Sequence, residues 1–131
     1  MGGEKDVNAL LRGMQPVLHT DRFVFATTPH PPTDIDAMAW IREDEGITVV
    51  ATQKEADRAG LIYDFVAARI TLQVHSSLDA VGLTAVVAAT LADAGISCNV
   101  VAGYYHDHVF VRAEDGSRAQ RLLLALSAAT G

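Results

Sequence analysis

The sequence contains one cysteine, few basic residues and no long apolar run, and each shortage excludes a class of protein. With Cys98 as the single cysteine in 131 residues, neither an internal disulfide framework nor a multi-cysteine metal knot can form. The net charge is −6 and lysine and arginine form no run, which argues against nucleic acid or an anionic membrane as a partner. No apolar run approaches the ~20 residues of a membrane span, and no basic flank with an apolar run marks an export signal. We therefore expect a soluble cytoplasmic protein.

Hydrophobic residues make up 50% of the chain, which is enough to bury a core. The charge is unevenly distributed, because residues 1–66 hold 6 Lys/Arg against 11 Asp/Glu, whereas residues 67–131 hold 4 against 5. A nearly neutral and apolar second half indicates that another unit covers part of its surface.

Residues 68–112 carry the clearest pattern of alternating and helical periodicity. Ile70, Leu72 and Val74 alternate with polar residues, as in a half-buried strand. The rest of this half predicts a helix at residues 83–94 closed by Gly95, strands at 96–102 and 106–111 joined as a hairpin around Gly103, and a helix at 116–127. The order βαββα lacks one strand of the split βαββαβ pattern.

The first half predicts a similar mixture of helices and strands. In chain order we expect a helix at residues 4–13, an extended stretch at 15–28 with a turn near Thr20-Asp21, and a loop at 29–32. A second helix should begin at Thr33 or Asp34 and carry Ile35, Met38, Ala39 and Ile41. A strand at 47–51 and a helix at 53–59 follow, and Thr52 and Glu55 should form a capping box at the start of that helix. Val49-Val50-Ala51 with Arg58-Ala59 recurs 60 residues later as Val109-Phe110-Val111 with Arg118-Ala119, which indicates duplication. The two small units should then pack against each other, and the chain should form a dimer, because neither unit is large enough to be very stable alone.

The loop at residues 76–82 is the candidate binding site. A helix N-terminus offers unpaired backbone N–H groups to a carboxylate, and Gly82 allows close approach because it has no Cβ. Asp79 could hold an ammonium group, which would complete the recognition of an amino acid. The alternative is that Ser76 and Asp79 form a capping-box variant that satisfies only the backbone.

Three histidines suggest a metal site as a further alternative. His106 and His108 stand at i, i+2 on one predicted strand, and His75 precedes the loop. No acidic or cysteine partner is placed by the sequence, so stacking with Tyr104 and Phe110 is favoured and no metal is predicted. No nucleophile motif or phosphate loop occurs, so we expect neither an enzyme nor a cofactor.

Several motifs together resemble the ACT domain. They are Arg69-Ile70-Thr71-Leu72, His75-Ser76-Ser77-Leu78, Ala80-Val81-Gly82-Leu83-Thr84-Ala85, Gly95-Ile96-Ser97 and the run from Asn99 to Val111. Within that superfamily the chain is similar to stand-alone bacterial proteins with two ACT-like units. The resemblance implies an α/β fold of two ferredoxin-like units with mostly antiparallel sheets, at residues 1–66 and 67–131, and a non-catalytic regulatory role.

The resemblance also implies a small-molecule effector, with an amino acid as one class, bound at the loop beside an interface. The homodimer is expected from the small size of the two units. The implied ligand-binding residues are Ser76, Ser77, Leu78, Asp79, Ala80, Val81, Gly82, Asn99 and Val100. The alternative function is a dimerisation or partner-docking module with no ligand. Well-studied amino-acid-binding members carry Asp or Asn nearer the strand end than this chain does, which leaves the effector's identity open.

Overall fold

A single six-stranded antiparallel sheet organises the protein. A computed structural model describes residues 3–131. The strands are β1 (Gln15–Thr28), β2 (Ala39–Glu43), β3 (Gly46–Thr52), β4 (Val66–Gln73), β5 (Asn99–Ala102) and β6 (Asp107–Arg112), in the spatial order β2-β3-β1-β4-β6-β5. Every neighbouring pair is antiparallel. The predicted α/β class with antiparallel sheets and a central strand near residue 70 is confirmed.

The helices pack on one side of this sheet, which we call the helix face. They are α1 (Val7–Gly13), α2 (Gln53–Ala59), α3 (Leu83–Asp93) and α4 (Gly116–Ala129). The main core joins α1, α3 and α4 to Ile70 and Leu72 of β4 and to Val109 of β6. The other side, which we call the open face, carries no helix in residues 3–131; Phe23, Ala67 and Phe110 are buried there with partial cover from Met38 and Phe65.

Two strands, β1 and β4, serve both ferredoxin-like units. The order β2-β3-β1-β4 makes one four-stranded arrangement and β1-β4-β6-β5 makes the other. β1 therefore supplies the strand that the βαββα pattern of the second half lacks. It is 14 residues long, pairing residues 15–18 and 22–24 with β4 and residues 23–28 with β3. The division at residues 66 and 67 stays a prediction, since the two arrangements overlap.

The predicted helix beginning at Thr33 or Asp34 is wrong. Residues 29–38 are irregular, and β2 follows as an edge strand paired with β3. The backbone N–H of Met38 donates to Val50 O at 2.8 Å, and Ala39 pairs with Val50, so sheet hydrogen bonding takes the residues that a helix would have used. Apolar residues at helical spacing can also cover a sheet from a loop, as Ile35 does beside β3.

The other local predictions need smaller corrections. The turn expected at Thr20-Asp21 is an irregularity within β1, between Leu18 and Arg22, and the strand continues beyond it. Gly95, with φ 76°, ends α3 as predicted, but β5 begins only at Asn99 because Ile96 is buried against the helix layer. Thr52 caps α2 by accepting from Glu55 N at 3.1 Å.

Glu55 does not complete the expected capping box. Its carboxylate accepts from Arg58 at 2.7 Å and from the backbone N–H of Asp36 at 2.9 Å. The hydrogen bond from Arg58, followed by that from Asp36, lowers the pKa of Glu55 from 4.5 to about 2. The residue thus ties the irregular segment at 29–38 to α2.

Replacing Glu55 with glutamine should lower the stability at neutral pH and have no effect in strong acid. Because the folded pKa is depressed, the carboxylate's stabilising contribution is complete above pH 4.5 and is lost as the pH falls towards 2. Urea midpoints of wild type and Glu55→Gln, measured across this range, should converge at the acid end. Glu45→Gln, an exposed hairpin change of the same charge, should leave the midpoint unchanged. A difference that does not depend on pH would contradict this role of the carboxylate.

Candidate functional site

The loop at residues 76–82 connects the central strand β4 to α3. Gly82 is the N-cap residue of α3 with φ 110°, and no side chain caps the helix. A left-handed conformation of this kind suits glycine because it has no Cβ. The first backbone N–H groups of α3 are therefore left without a side-chain acceptor.

The start of the chain lies along this loop. Glu4 N donates to His75 O at 2.9 Å, and Ser77 N donates to Glu4 O at 3.0 Å, forming a short parallel bridge. Val7 contacts the Gly82 position, where an added Cβ would lie 3.4 Å from Val7 Cγ2. The N-terminal segment thus closes one side of the loop.

Asp79 is an exposed residue of the loop that is engaged by neighbours in its own chain. Its carboxylate accepts from the Ser77 hydroxyl and pairs with Lys5 Nζ at 3.2 Å. The hydrogen bonds from Ser77 and then Lys5 lower the pKa of Asp79. Asp79 is therefore not a cap of α3, and it already has a cation of its own chain beside it.

A cavity of about 160 Å³ lies between the loop, the first turn of α3 and the β5–β6 hairpin. Its lining residues are Ser76, Ser77, Leu78, Ala80, Leu83, Thr84, Ala102 and Asp107. Four of the predicted site residues are brought together here, whereas Asp79, Val81 and Gly82 lie outside the lining. The volume is below the ~300–1,000 Å³ of typical ligand pockets, so only a small molecule fits.

Asp107 is the acidic group of this cavity. It is 8% exposed, and burial raises the pKa of its carboxyl against a weaker opposing effect of His106. No hydrogen bond contributes to that shift. A largely buried carboxylate that makes no hydrogen bond within residues 3–131 gains from a cation or donor beside it, so Asp107 is suited to hold a cationic group.

Asp107 is absent from the sequence-based set of site residues, in which this strand was considered only for its two histidines. Asp107 pairs with Leu72, on the helix face, whereas His108 pairs with Thr71, on the open face. Alternation along the strand was the available signal, since Val109 and Val111 share the face of Asp107.

Asn99 and Val100 lie apart from the cavity. Asn99 pairs with Phe110 and lines a different cavity, with Phe25, Phe65 and Ser97, on the open face. Val100, its neighbour, points to the helix face but does not line the loop cavity.

The three histidines do not converge. His75 contacts Tyr105, with ring centroids 5.6 Å apart. His106 Nδ1 lies 3.4 Å from Val74 O, while His108 bonds Thr71 on the open face. No group of three histidine, cysteine or acidic side chains arranged to hold a metal occurs within residues 3–131.

The fold and the strand-to-helix loop define a class of regulatory domain. The ACT domain model matches residues 2–68, and a second ACT domain model matches residues 67–125. The chain therefore belongs to the ACT domain family and carries two such domains in tandem. ACT domains are typically regulatory modules that bind small ligands.

Solved structures agree with this assignment. A Vibrio cholerae protein of unknown function, described as a possible transport protein, is 42% identical over 94% of this chain and 97% of its own, with a TM-score of 0.83. An Agrobacterium tumefaciens protein is 19% identical over 87% of this chain and 89% of its own, with a TM-score of 0.72. The regulatory subunit of aspartate kinase from Thermus thermophilus is 12% identical over 85% of this chain and 95% of its own, with a TM-score of 0.63. The last two show a shared fold.

No curated protein matches the chain. Within residues 3–131, no helix has the length and apolarity needed to cross a bilayer.

Replacing Asp107 with asparagine should raise the free energy of unfolding of the ligand-free protein at neutral pH. Its folded pKa lies above the ordinary 3.8, so the charged form is the costly one, and that cost appears as the pH rises from 3.8 through the folded value. Chemical denaturation at pH 7 and in acid checks this, with the gain expected to disappear below pH 3.8. A loss of stability at pH 7 would show that a partner already satisfies the carboxylate.

Proposed function

We propose that this chain is a cytoplasmic bacterial regulatory protein without catalytic activity that binds a small zwitterionic effector, an amino acid, in the cavity beside residues 76–82. Membership of the ACT domain family supports the regulatory role. The observation that carries the ligand class is that one small cavity combines an uncapped helix start with a largely buried carboxylate that makes no hydrogen bond within residues 3–131.

The two ends of an amino acid match the two sides of this cavity. Backbone N–H groups at the start of α3, beside Leu83 and Thr84, would receive the effector's carboxylate. Asp107 would receive its ammonium group. Asp79, the sequence-based choice for that role, already pairs with Lys5, so the proposal transfers the role to Asp107.

Gly82→Val, which the sequence alone suggests as a test, is unsuitable. A side chain at φ 110° is strained, and its Cβ would crowd Val7 at 3.4 Å. Loss of binding in that variant would not separate a blocked site from a disturbed fold. Ala102→Leu fills the cavity from an edge strand instead, and Ala125→Leu on the exposed side of α4 is its control.

Replacing Asp107 with asparagine should weaken amino-acid binding by about 1–3 kcal/mol, the range for a lost hydrogen bond to a charged group. This corresponds to roughly 5- to 150-fold in affinity. Calorimetry with a panel of amino acids measures the effect on wild type and variant. Asp79→Asn, with the same change in charge outside the cavity, should bind as wild type does. Equal losses in both variants, or no heat from wild type with any amino acid at millimolar concentration, would contradict the proposal.

A second candidate function, a dimerisation or docking module, is favoured by apolar side chains exposed around the same loop. Leu78, Val81, Tyr104 and Tyr105 are between 62% and 84% exposed. Tyr104 and Tyr105 contact one another and His75. The outer side of α3 adds Ala85, Ala89 and Ala92, with no charge before Asp93. We propose that a second copy of the chain covers this surface.

Light scattering at micromolar concentration should show a homodimer. Val81→Glu should shift it to monomer, because a charge in an apolar interface must be desolvated without a partner. Ile62→Glu, which alters an equally exposed apolar residue elsewhere, should remain dimeric. A monomeric wild type would exclude the assembly, and dissociation by Ile62→Glu alone would move the interface away from the loop.

A further inference from the structure

The open face carries a polar cluster that the proposed effector site does not use. It consists of His19 from β1, Arg69 and Thr71 from β4, and His108 from β6, which we call the Arg69 cluster. Register places Arg69 opposite Phe110 and Thr71 opposite His108, at the centre of the sheet. Asp107 points to the other face, so the Arg69 cluster and the loop cavity are separated by the sheet.

The contact with Arg69 makes His108 a hydrogen-bond acceptor. Arg69 Nη2 lies 3.3 Å from His108 Nδ1, and a guanidinium can only donate, so that nitrogen accepts. The Thr71 hydroxyl lies 3.0 Å from the same nitrogen and 2.7 Å from His19 Nε2. His108 is accordingly neutral, and burial, with the charge of Arg69 next, lowers its pKa to about 4.

The guanidinium of Arg69 is held in place without a counter-ion. It stacks over the Phe23 ring at 5.3 Å. No carboxylate in residues 3–131 forms an ion pair with it, and its Nε is buried with no hydrogen-bond partner. Burial lowers the pKa of Arg69, and no acidic group contributes to that shift.

Surrounding charges do not supply the missing anion. His106 and His19 add positive charge to the surroundings of His108 when protonated. Asp21 raises the pKa of His19, whereas the shift of the Arg69 pKa comes from burial. A partly buried, unpaired cation is costly to keep in a fold, and here it sits in a protein whose net charge is −6.

We propose that the Arg69 cluster is a second ligand site, which binds the oxyanion group of a small solute, a phosphate or a carboxylate. Arg69 would make the ion pair, and Phe23 with His108 would hold the guanidinium in the orientation that receives it. Planar, oriented guanidinium groups suit both anions because they can donate two parallel hydrogen bonds.

Thermal unfolding in inorganic phosphate and in acetate, against chloride at matched ionic strength, tests the proposal and separates the two anion classes. A ligand that binds only the folded state raises the melting temperature, so at least one of the two salts should do so. Arg69→Met should abolish the rise. Methionine keeps an apolar contact with Phe23, and its melting temperature in chloride should be equal to or above that of wild type. Arg121→Met, an exposed change of the same charge on α4, should respond as wild type does.

A measurement on the unaltered protein guards against a variant that fails to fold. In a phosphate or acetate titration followed by NMR, the Arg69 Nε–H resonance should shift with a saturable dependence on concentration. An unshifted resonance with both salts, or an equal thermal response in Arg69→Met, would overturn the proposal. A third outcome would also overturn it: neither salt changes the melting temperature of the wild type, and the Arg69→Met variant is monomeric where the wild type is dimeric. A carboxylate of a second copy of the chain would then be the counter-ion of Arg69.

Discussion

The pairing of β1 with β4 is the interaction on which the rest of the structure depends. Each strand is central to one four-stranded arrangement and completes the other, so neither half can form its sheet alone. The pairing joins segments about fifty residues apart in sequence, which makes it a costly contact to close early in folding. Once it is made, hydrophobic residues of both halves become buried together.

The same pairing builds the candidate site. Because β1 is fixed beside β4, the preceding helix α1 is held against α3 and α4, and Leu10 and Leu11 enter the core of the second half. The residues before α1 then reach the loop, where Glu4 bonds His75 and Ser77. The first half of the chain thus closes one side of a loop whose cavity is lined only by residues of the second half.

Local sequence signals identified the elements that local physics determines. The alternation through Ile70 and Leu72 located β4, and Gly95 located the end of α3, since each depends on a few neighbouring residues. The same reasoning gave a wrong helix around Met38. The apolar spacing there fits either a helix or a segment that packs over a sheet, and hydrogen bonds to β3 determine which one forms. The loop at residues 76–82 stays a predicted site; the sequence reasoning favoured Asp79 there over Asp107, whose burial follows from its place on the helix face of β6.

Arg69, in the middle of β4, and Asp107, at the start of β6, both lack an ion-pair partner within residues 3–131. Asp107 is paired in register with Leu72, and Arg69 stands three residues earlier on the same strand. Since side chains alternate along a strand, an offset of three places the carboxylate and the guanidinium on opposite faces. They cannot neutralise each other across the backbone layer. In the two proposals each charge is balanced from its own side, the carboxylate by a cationic group in the loop cavity and the guanidinium by an anion on the open face.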